Sequence, residues 1–337
     1  MSGIDDQLGD FRKAVAEERL ANQLNPTGSG CDLISIYIDS NLLQDARSRS
    51  AEELKKRPND PCAHANLYLV AFLESDSANI AKELAWANQQ GGIQGIPAAR
   101  FAYYYGQRER AQQLSRSLVA TAEAKNQKDM AANAQVGTAL SEAVLGYGSE
   151  AQKLAAAAQN LSRSKETEYV AALVFAMGGN LTRVQELAGD LEKRFPDDTI
   201  VRFDFLPTVH ALLDLERKKP MNAIQELQAA LPYELGQDAP ALWPVYVRAQ
   251  AYLAARQGAE ATSEFEKILD HRGLVNNDPV GAPIDALAHL GLARAYALQK
   301  ESLKARRAYQ DFLTLWKDAD QGVPILKEAQ AQYQELK

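Results

Sequence analysis

The sequence predicts an all-α protein, a superhelical α-α solenoid of antiparallel helix pairs, from three features that share one register. Small residues recur in pairs twelve apart, aromatic residues stand at fixed offsets beside them, and prolines close several of the second helices. Ala249–Leu269 (AQAYLAARQGAEATSEFEKIL) and Ala293–Leu313 (ARAYALQKESLKARRAYQDFL) carry the pattern best. Ala249, Tyr252, Ala261 and Phe265 in the first match Ala293, Tyr296, Ala305 and Tyr309 in the second. A small residue on each helix lets two antiparallel helices approach closely, and bulkier neighbours interdigitate beside the crossing.

Taken in order, the chain opens with a lone second helix, Gly9–Leu24, whose small residue is Ala14. Pairs then centre on Ile34/Ala46, Leu69/Ala81, Ala99/Ala111, Ala139/Ala151, Ala172/Val184, Ala211/Ala223, Ala249/Ala261 and Ala293/Ala305. An amphipathic helix, Ile325–Leu336, ends the chain. Pro26, Pro58 and Pro196 each fall twelve residues after a second-helix small residue, where a helix must stop. The second-helix positions are spaced by about 36 residues on average, near the 34 of a tetratricopeptide (TPR) repeat. The chain therefore resembles TPR proteins over nearly its whole length, with long connections at Tyr233–Leu242 and Leu274–Pro283. One array over 1–337 is expected: 1–58 degenerate repeats with the orphan first helix, 59–322 main repeats, 323–337 a capping helix. An unpartnered helix at a solenoid end leaves apolar surface uncovered, so the chain is expected to be part of a longer protein.

Bulk properties narrow the function classes. A chain of 337 residues exceeds what one compact core holds, which suits two domains or an elongated array. With 46% hydrophobic residues disorder is not expected, and a net charge of −7 argues against a nucleic-acid partner. The basic runs Lys55–Arg57 and Arg217–Lys219 read as helix ends, where cations suit the helix dipole. Two cysteines, Cys31 and Cys62, are too few for a disulfide framework. Cys62-Ala63-His64 offers two ligands where zinc needs three or four, so neither metal nor cofactor is expected. The longest apolar run, Val170–Met177, is eight residues, too short for direct membrane insertion, and the start MSGIDDQLGD is not a signal peptide.

A more specific likeness lies in LPYELG (Leu231–Gly236), PVYVRAQAYLAARQG (Pro244–Gly258), FEKILDHRG (Phe265–Gly273) and AYQDFLTLWKDAD (Ala308–Asp320), with ELAWA (Glu83–Ala87) and KRFPDDT (Lys193–Thr199) upstream. This set resembles the repeat region that follows the kinase domain in bacterial eukaryotic-like serine/threonine protein kinases; some bacterial winged-helix regulators carry similar arrays. The resemblance covers roughly Asn59–Lys337. It implies a sensing or protein-binding module beside a catalytic domain and, often, a membrane-spanning segment. Kinase chemistry itself needs a phosphate loop, a lysine and a magnesium-binding aspartate together. Gly146-Tyr147-Gly148 lacks the third glycine, no V-A-I-K strand occurs, and Asp204-Phe205 precedes Leu206 rather than glycine, so no enzyme is expected here. The compartment stays open: extracytoplasmic if the chain hangs from a membrane-anchored kinase, cytoplasmic otherwise.

The remaining candidates are weighed on their chemistry. His271-Arg272-Gly273-Leu274 with Asn277 echoes the kinase catalytic loop, but Gly273 stands where the aspartate must be and Asp278 where the asparagine belongs. Asn277, Asp278, Pro279 and Gly281 are turn formers, so Asp270–Asp278 reads as a connector, an enzyme built on it being the remote alternative. His210 and His289 fall on apolar stripes. Rings at Tyr103, Tyr104 and Tyr105 stand about 100° apart and cannot share one surface. A concave groove is the expected binding site, lined by first-helix positions flanking the small residue. These include Asn66, Ile96, Arg100, Tyr169, Leu173, Thr208, Leu212, Tyr246, Gln250, Leu290 and Arg294. Of these, Asn66, Arg100, Tyr169, Tyr246, Gln250 and Arg294 are the peptide-binding candidates, the arginines to fork a carboxylate and the tyrosines to stack on side chains. The expected partner is a protein or peptide, with a structural homo-oligomer as the rival reading.

Overall fold

A computed structural model describes residues 5, 8–25, 30–90, 98–236, 240–278, 280 and 283–336, and among these every regular element is helical. The helices are α1 (Phe11–Leu24), α2 (Cys31–Asp39), α3 (Leu43–Lys56), α4 (Pro61–Leu73), α5 (Ser77–Gln89), α6 (Ala98–Tyr104), α7 (Arg108–Ala124), α8 (Lys128–Val144), α9 (Gly148–Leu161) and α10 (Lys165–Met177). They continue as α11 (Leu181–Arg194), α12 (Leu206–Glu216), α13 (Pro220–Glu226), α14 (Trp243–Ala254), α15 (Gly258–Asp270), α16 (Arg272–Asn277), α17 (Ile284–Leu298), α18 (Ser302–Leu315) and α19 (Pro324–Glu335). A π-helical turn, Val201–Phe205, runs into α12, where Pro207 has no N–H to continue an α ladder. The all-α architecture of TPR-like antiparallel pairs is the one the repeat predicts.

One turn is used again and again. In it, the residue five before the second-helix crossing position adopts the left-handed conformation: Asn41, Ser75, Gly106, Gly146, Gly179, Lys218, Arg256 and Lys300, with φ between 56° and 96°. The next amide reaches back to the carbonyl five residues earlier, as in Leu42 to Tyr37 (2.7 Å), Tyr147 to Glu142 (2.9 Å) and Glu301 to Tyr296 (3.0 Å). That same residue then caps the second helix, its carbonyl accepting from the amide of the crossing residue: Leu42 from Ala46, Tyr147 from Ala151, Glu301 from Ala305. Ala46, Ala111, Ala151, Val184, Ala223, Ala261 and Ala305 are accordingly wholly buried.

One position departs from the expected register. In the α4–α5 pair the left-handed residue is Ser75 and the cap is Asp76, whose carboxylate accepts from the Asn79 amide at 3.1 Å. The crossing position is therefore Ile80, and Ala81 faces solvent. A cap with two good backbone bonds outranks the preference for a small residue.

The described residues fall into two compact units. Unit one holds residues up to Ala98 together with Leu235–Ala241 and His271–Asp278. In it, α1 packs on α2, burying Ala14 and Val15. Cys31 and Cys62 form a disulfide across a Cα–Cα distance of 6.2 Å, joining the first turns of α2 and α4. The two cysteines lie almost one repeat apart, so stacking sets equivalent turns of neighbouring first helices side by side. The Leu274–Pro283 connection is also not plain loop: Arg272–Asn277 forms α16, which packs on α2 and α4.

Unit two holds the rest, and its first helices α8, α10, α12, α14 and α17 pack one against the next. Its two ends meet. The Trp316 indole donates to the Tyr104 carbonyl (2.9 Å), the Asp320 amide to the Gly106 carbonyl (3.1 Å), and the Glu109 amide to the Asp320 carboxylate (2.8 Å). Gly106 has φ +69°, and a Cβ there would sit 2.6 Å from that of Ala319, so both backbone and space demand glycine. Buried acids are gripped by arginines throughout this unit: Glu142 accepts from Arg108 (2.7 Å), Gln112 (3.0 Å) and the Tyr103 hydroxyl (2.8 Å). Burial and the Glu142 charge together push the Tyr103 phenol far above the ordinary tyrosine range.

Candidate binding groove

The first-helix positions flanking each small residue have several different fates. Tyr169 on α10 is wholly buried and stacked on Phe205, ring centroids 3.9 Å apart and 10° from parallel. Leu173 and Leu212 are buried as well. On α8 the inner surface is covered locally: a Cβ on Gly137 would lie 3.2 Å from the Val280 carbonyl. Asn66 belongs to unit one, where its amide donates to the Cys62 sulfur at 3.2 Å. Arg100 on α6 rests its guanidinium 5.4 Å above the Phe101 ring. Ile96, Pro26, Pro279 and Gly281 lie outside the described residues.

Three of the candidates converge in unit two. Tyr246 and Gln250 sit one turn apart on α14, and the Gln250 amide and Arg294 of α17 both act on the Tyr246 phenol. Burial raises the Tyr246 hydroxyl, and the nearby Arg294 charge and Gln250 amide hold the rise to about 12. Tyr246 is held beneath by Trp243 and Phe265, at 5.4 and 6.4 Å between ring centroids. Arg294 itself is aimed by α19: its Nε donates to Gln332 Oε1 at 3.0 Å, and its Nη2 lies 3.0 Å from Glu328 Oε1. Gln332 is fixed in turn by the Tyr309 hydroxyl, which donates to it at 3.1 Å. The arginine side chain is 22% exposed and its counter-ion Glu328 57% exposed, so the pair opens to solvent at the carboxylate end.

This arrangement has the chemistry of an anion fork. A guanidinium presents a rigid set of donors that match a carboxylate in pairs, and here its position is set by a network instead of by a free side chain. An ion pair whose carboxylate is exposed contributes only about 0–1 kcal/mol, and Glu328 Oε1 is held besides by Gln332 Nε2, which donates to it at 3.0 Å. Sequence reading supplied Tyr246, Gln250 and Arg294 but missed Glu328, Gln332 and Tyr309. The last two form the amide–phenol shelf, and only the return of α19 onto α17 and α18 brings them there.

Other chemistry-bearing residues have found structural partners. His64 lies 2.5 Å by Nδ1 from the Glu83 carboxylate and 3.0 Å by Nε2 from the Pro58 carbonyl, and stacks on Trp86 at 3.6 Å. Among the described residues, no group of three His, Cys, Asp or Glu is placed to hold a metal ion. No described helix is long and apolar enough to cross a membrane. A second cleft of about 390 Å³ in unit one has an apolar floor, Ala51, Leu54 and Leu67, rimmed by Arg47, Lys55 and Lys82.

No protein-family model matches the chain, and no curated protein matches it. Among solved structures it is similar to a chain of the APC/C hetero-tetramer Cut9–Hcn1, at 14% identity over 95% of this chain and 52% of that one, with a TM-score of 0.43. It is also similar to yeast Tom70, at 13% identity over 99% and 80% of the two chains with a TM-score of 0.39. The P58(IPK) TPR domain shares 13% identity over 96% and 98%, with a TM-score of 0.29. The chain spans about half the length of the first of these. Likeness at this level says nothing of function, and the helix-pair architecture rests on the turns and crossings described above.

Proposed function

We propose that the chain is a non-enzymatic scaffold that binds a protein or peptide, with Arg294, Gln250 and Tyr246 forming its carboxylate-reading end. The observation that carries this reading is the Arg294 guanidinium, aimed by Gln332 and countered by an exposed Glu328. Groove recognition of this kind uses few polar contacts on a rigid helical frame. The test is to pan a display library of peptides with free C-termini on the full chain. Peptides that are enriched, and then weakened at least tenfold both by C-terminal amidation and by Arg294→Ala, support the assignment. No enrichment, or equal binding by Arg294→Ala, removes it.

The same reading extends to context. The segments Leu231–Gly236, Pro244–Gly258, Phe265–Gly273 and Ala308–Asp320 support placement as the interaction region of a bacterial serine/threonine kinase or a related signalling protein. An upstream in-frame kinase domain would agree with that placement, and an unrelated upstream frame would remove it. A structural oligomer is the second reading, favoured by Leu20 and Leu24 of α1, which are 55% and 79% exposed. Light scattering decides it: a strict monomer at high concentration ends that reading.

A further inference from the structure

Helix α16 is too short to stand alone. Six residues form barely more than one turn, and a helix of that length in water is not stable without packing. Its chain neighbours on both sides, up to Asp270 and from Pro279, belong to unit two, while His271–Asp278 belongs to unit one. The segment therefore holds its conformation through its seat on α2 and α4.

That seat is specific. A Cβ on Gly273 would fall 1.9 Å from the Ile38 carbonyl oxygen, so the α16 backbone lies directly on α2 and no other residue type fits. The Gly273 amide donates to Asn41 Oδ1 at 3.1 Å, from the left-handed residue that ends α2. Four residues on, the Asn277 side-chain Nδ2 donates to Ser35 Oγ at 2.7 Å and to Asp39 Oδ1 at 2.9 Å. Positions four apart share a helix face, so Gly273 and Asn277 form one contact edge read by Ser35, Asp39 and Asn41 along a single side of α2. Leu274 and Val275 are buried beside it. The receiving surface is itself preformed, because the Cys31–Cys62 disulfide ties α2 to α4. A preformed face, a close-approach glycine and a carboxamide with its own donor sites are the parts of a peptide-recognition site, here filled from within the chain.

We propose that the α2–α4 face is a recognition surface for a helical turn of the pattern Gly-x-x-x-Asn, and that α16 is its detachable resident ligand. When α16 leaves, the surface accepts the same pattern from a second copy of this chain. This site lies in unit one and is independent of the Arg294 fork.

The test uses the full chain and a fluorescein-labelled peptide of sequence ILDHRGLVNND, residues Ile268–Asp278. Gly273→Leu cannot seat α16, so a folded Gly273→Leu chain is expected to bind the peptide at least tenfold tighter than the unaltered chain does. The same peptide carrying Asn277→Ala is expected to lose at least tenfold. In the unaltered chain, hydrogen exchange at the Gly273 and Val275 amides is expected to run at least tenfold faster than at the α2 amides beneath them. Exchange at the α2 rate means that α16 opens only with global unfolding and overturns the proposal. So does peptide binding that is absent from, or unchanged in, a folded Gly273→Leu chain. If Gly273→Leu does not fold by circular dichroism, the exchange measurement decides alone.

Discussion

Removing the guanidinium of Arg248 is expected to be among the costliest single changes in unit two. The side chain is 1% exposed and its Nη2 lies 2.8 Å from Glu234 and 2.6 Å from Glu264, with a further, longer bond of 3.5 Å from Nη1 to the Leu227 carbonyl. Lys267 reaches the same acids at 2.7 and 3.8 Å, from a more exposed position. Arg248→Met keeps the bulk but leaves two carboxylates with Lys267 alone. Breaking a buried ion pair from one side costs about 3–5 kcal/mol, since the remaining charge is stranded. Because Lys267 survives, the lower end applies, about 3 kcal/mol, or a fall in melting temperature of roughly 6–12 °C for a unit of this size. Thermal and urea unfolding followed by circular dichroism measure it. The triple variant Arg248→Met, Glu234→Gln, Glu264→Gln removes the stranded charges along with the arginine and is expected to recover more than half of the loss. A cost under about 1 kcal/mol for Arg248→Met, or a triple variant as weak as the single one, would refute the claim that charge pairing and not packing sets the value.

Three further outcomes follow from the same geometry. Arg256→Gly and Lys300→Gly, at left-handed turn positions with φ +61° and +62°, are each expected to raise stability by about 0.5–1 kcal/mol in urea unfolding. Reducing the Cys31–Cys62 bond opens a loop with a sequence separation of 31, and is expected to destabilise unit one by about 3–4 kcal/mol, seen as a reductant-dependent transition that Cys31→Ser with Cys62→Ser no longer shows. Asp198 accepts from the Ile200 and Val201 amides, both at 3.0 Å, and from Lys165 at 2.7 Å. Burial opposes its ionisation but is outweighed by the Lys165 bond and the two amides, which hold its carboxyl below the usual aspartate value. Its contribution is therefore present above the unfolded value and lost as pH falls through the lower folded one. Asp198→Ala is expected to cost about 1 kcal/mol near neutral pH, and that difference should shrink as the solution is acidified below about pH 4.

Much of the fold was legible because one turn recurs. A small residue placed five after a left-handed residue and four after a cap is a local arrangement, and local arrangements leave periodic traces in a sequence. The trace misled once, at Ala81, where Asp76 set the cap one residue earlier and Ile80 took the crossing. It was silent on backbone conformation, because Lys218, Arg256 and Lys300 occupy left-handed turns without the glycine that would announce them. Spacing sets Tyr169 and Tyr246 at the same repeat position, and both are buried, Tyr169 stacked on Phe205 and Tyr246 beside Trp243 and Phe265 with the Arg294 charge close to its phenol. What separates them is the neighbouring repeat, whose side chains differ from one copy to the next.

The helix pairs, all but one of their crossings and the order in which they stack are written in the repeat, since each depends on contacts between adjacent helices. Which side chains meet across those pairs is set by the folded chain: Cys31 with Cys62 and Arg294 on Gln332 between neighbouring repeats, and Trp316 on Tyr104 and Gly273 with Asn277 on α2 over more than 200 residues. The segment Ile268–Asp278 shows the difference most sharply. Its glycine and asparagines read as turn formers, yet they fit the surface of a helix more than 230 residues earlier, because only the folded chain brings the Ile38 carbonyl and the Asp39 carboxylate within reach.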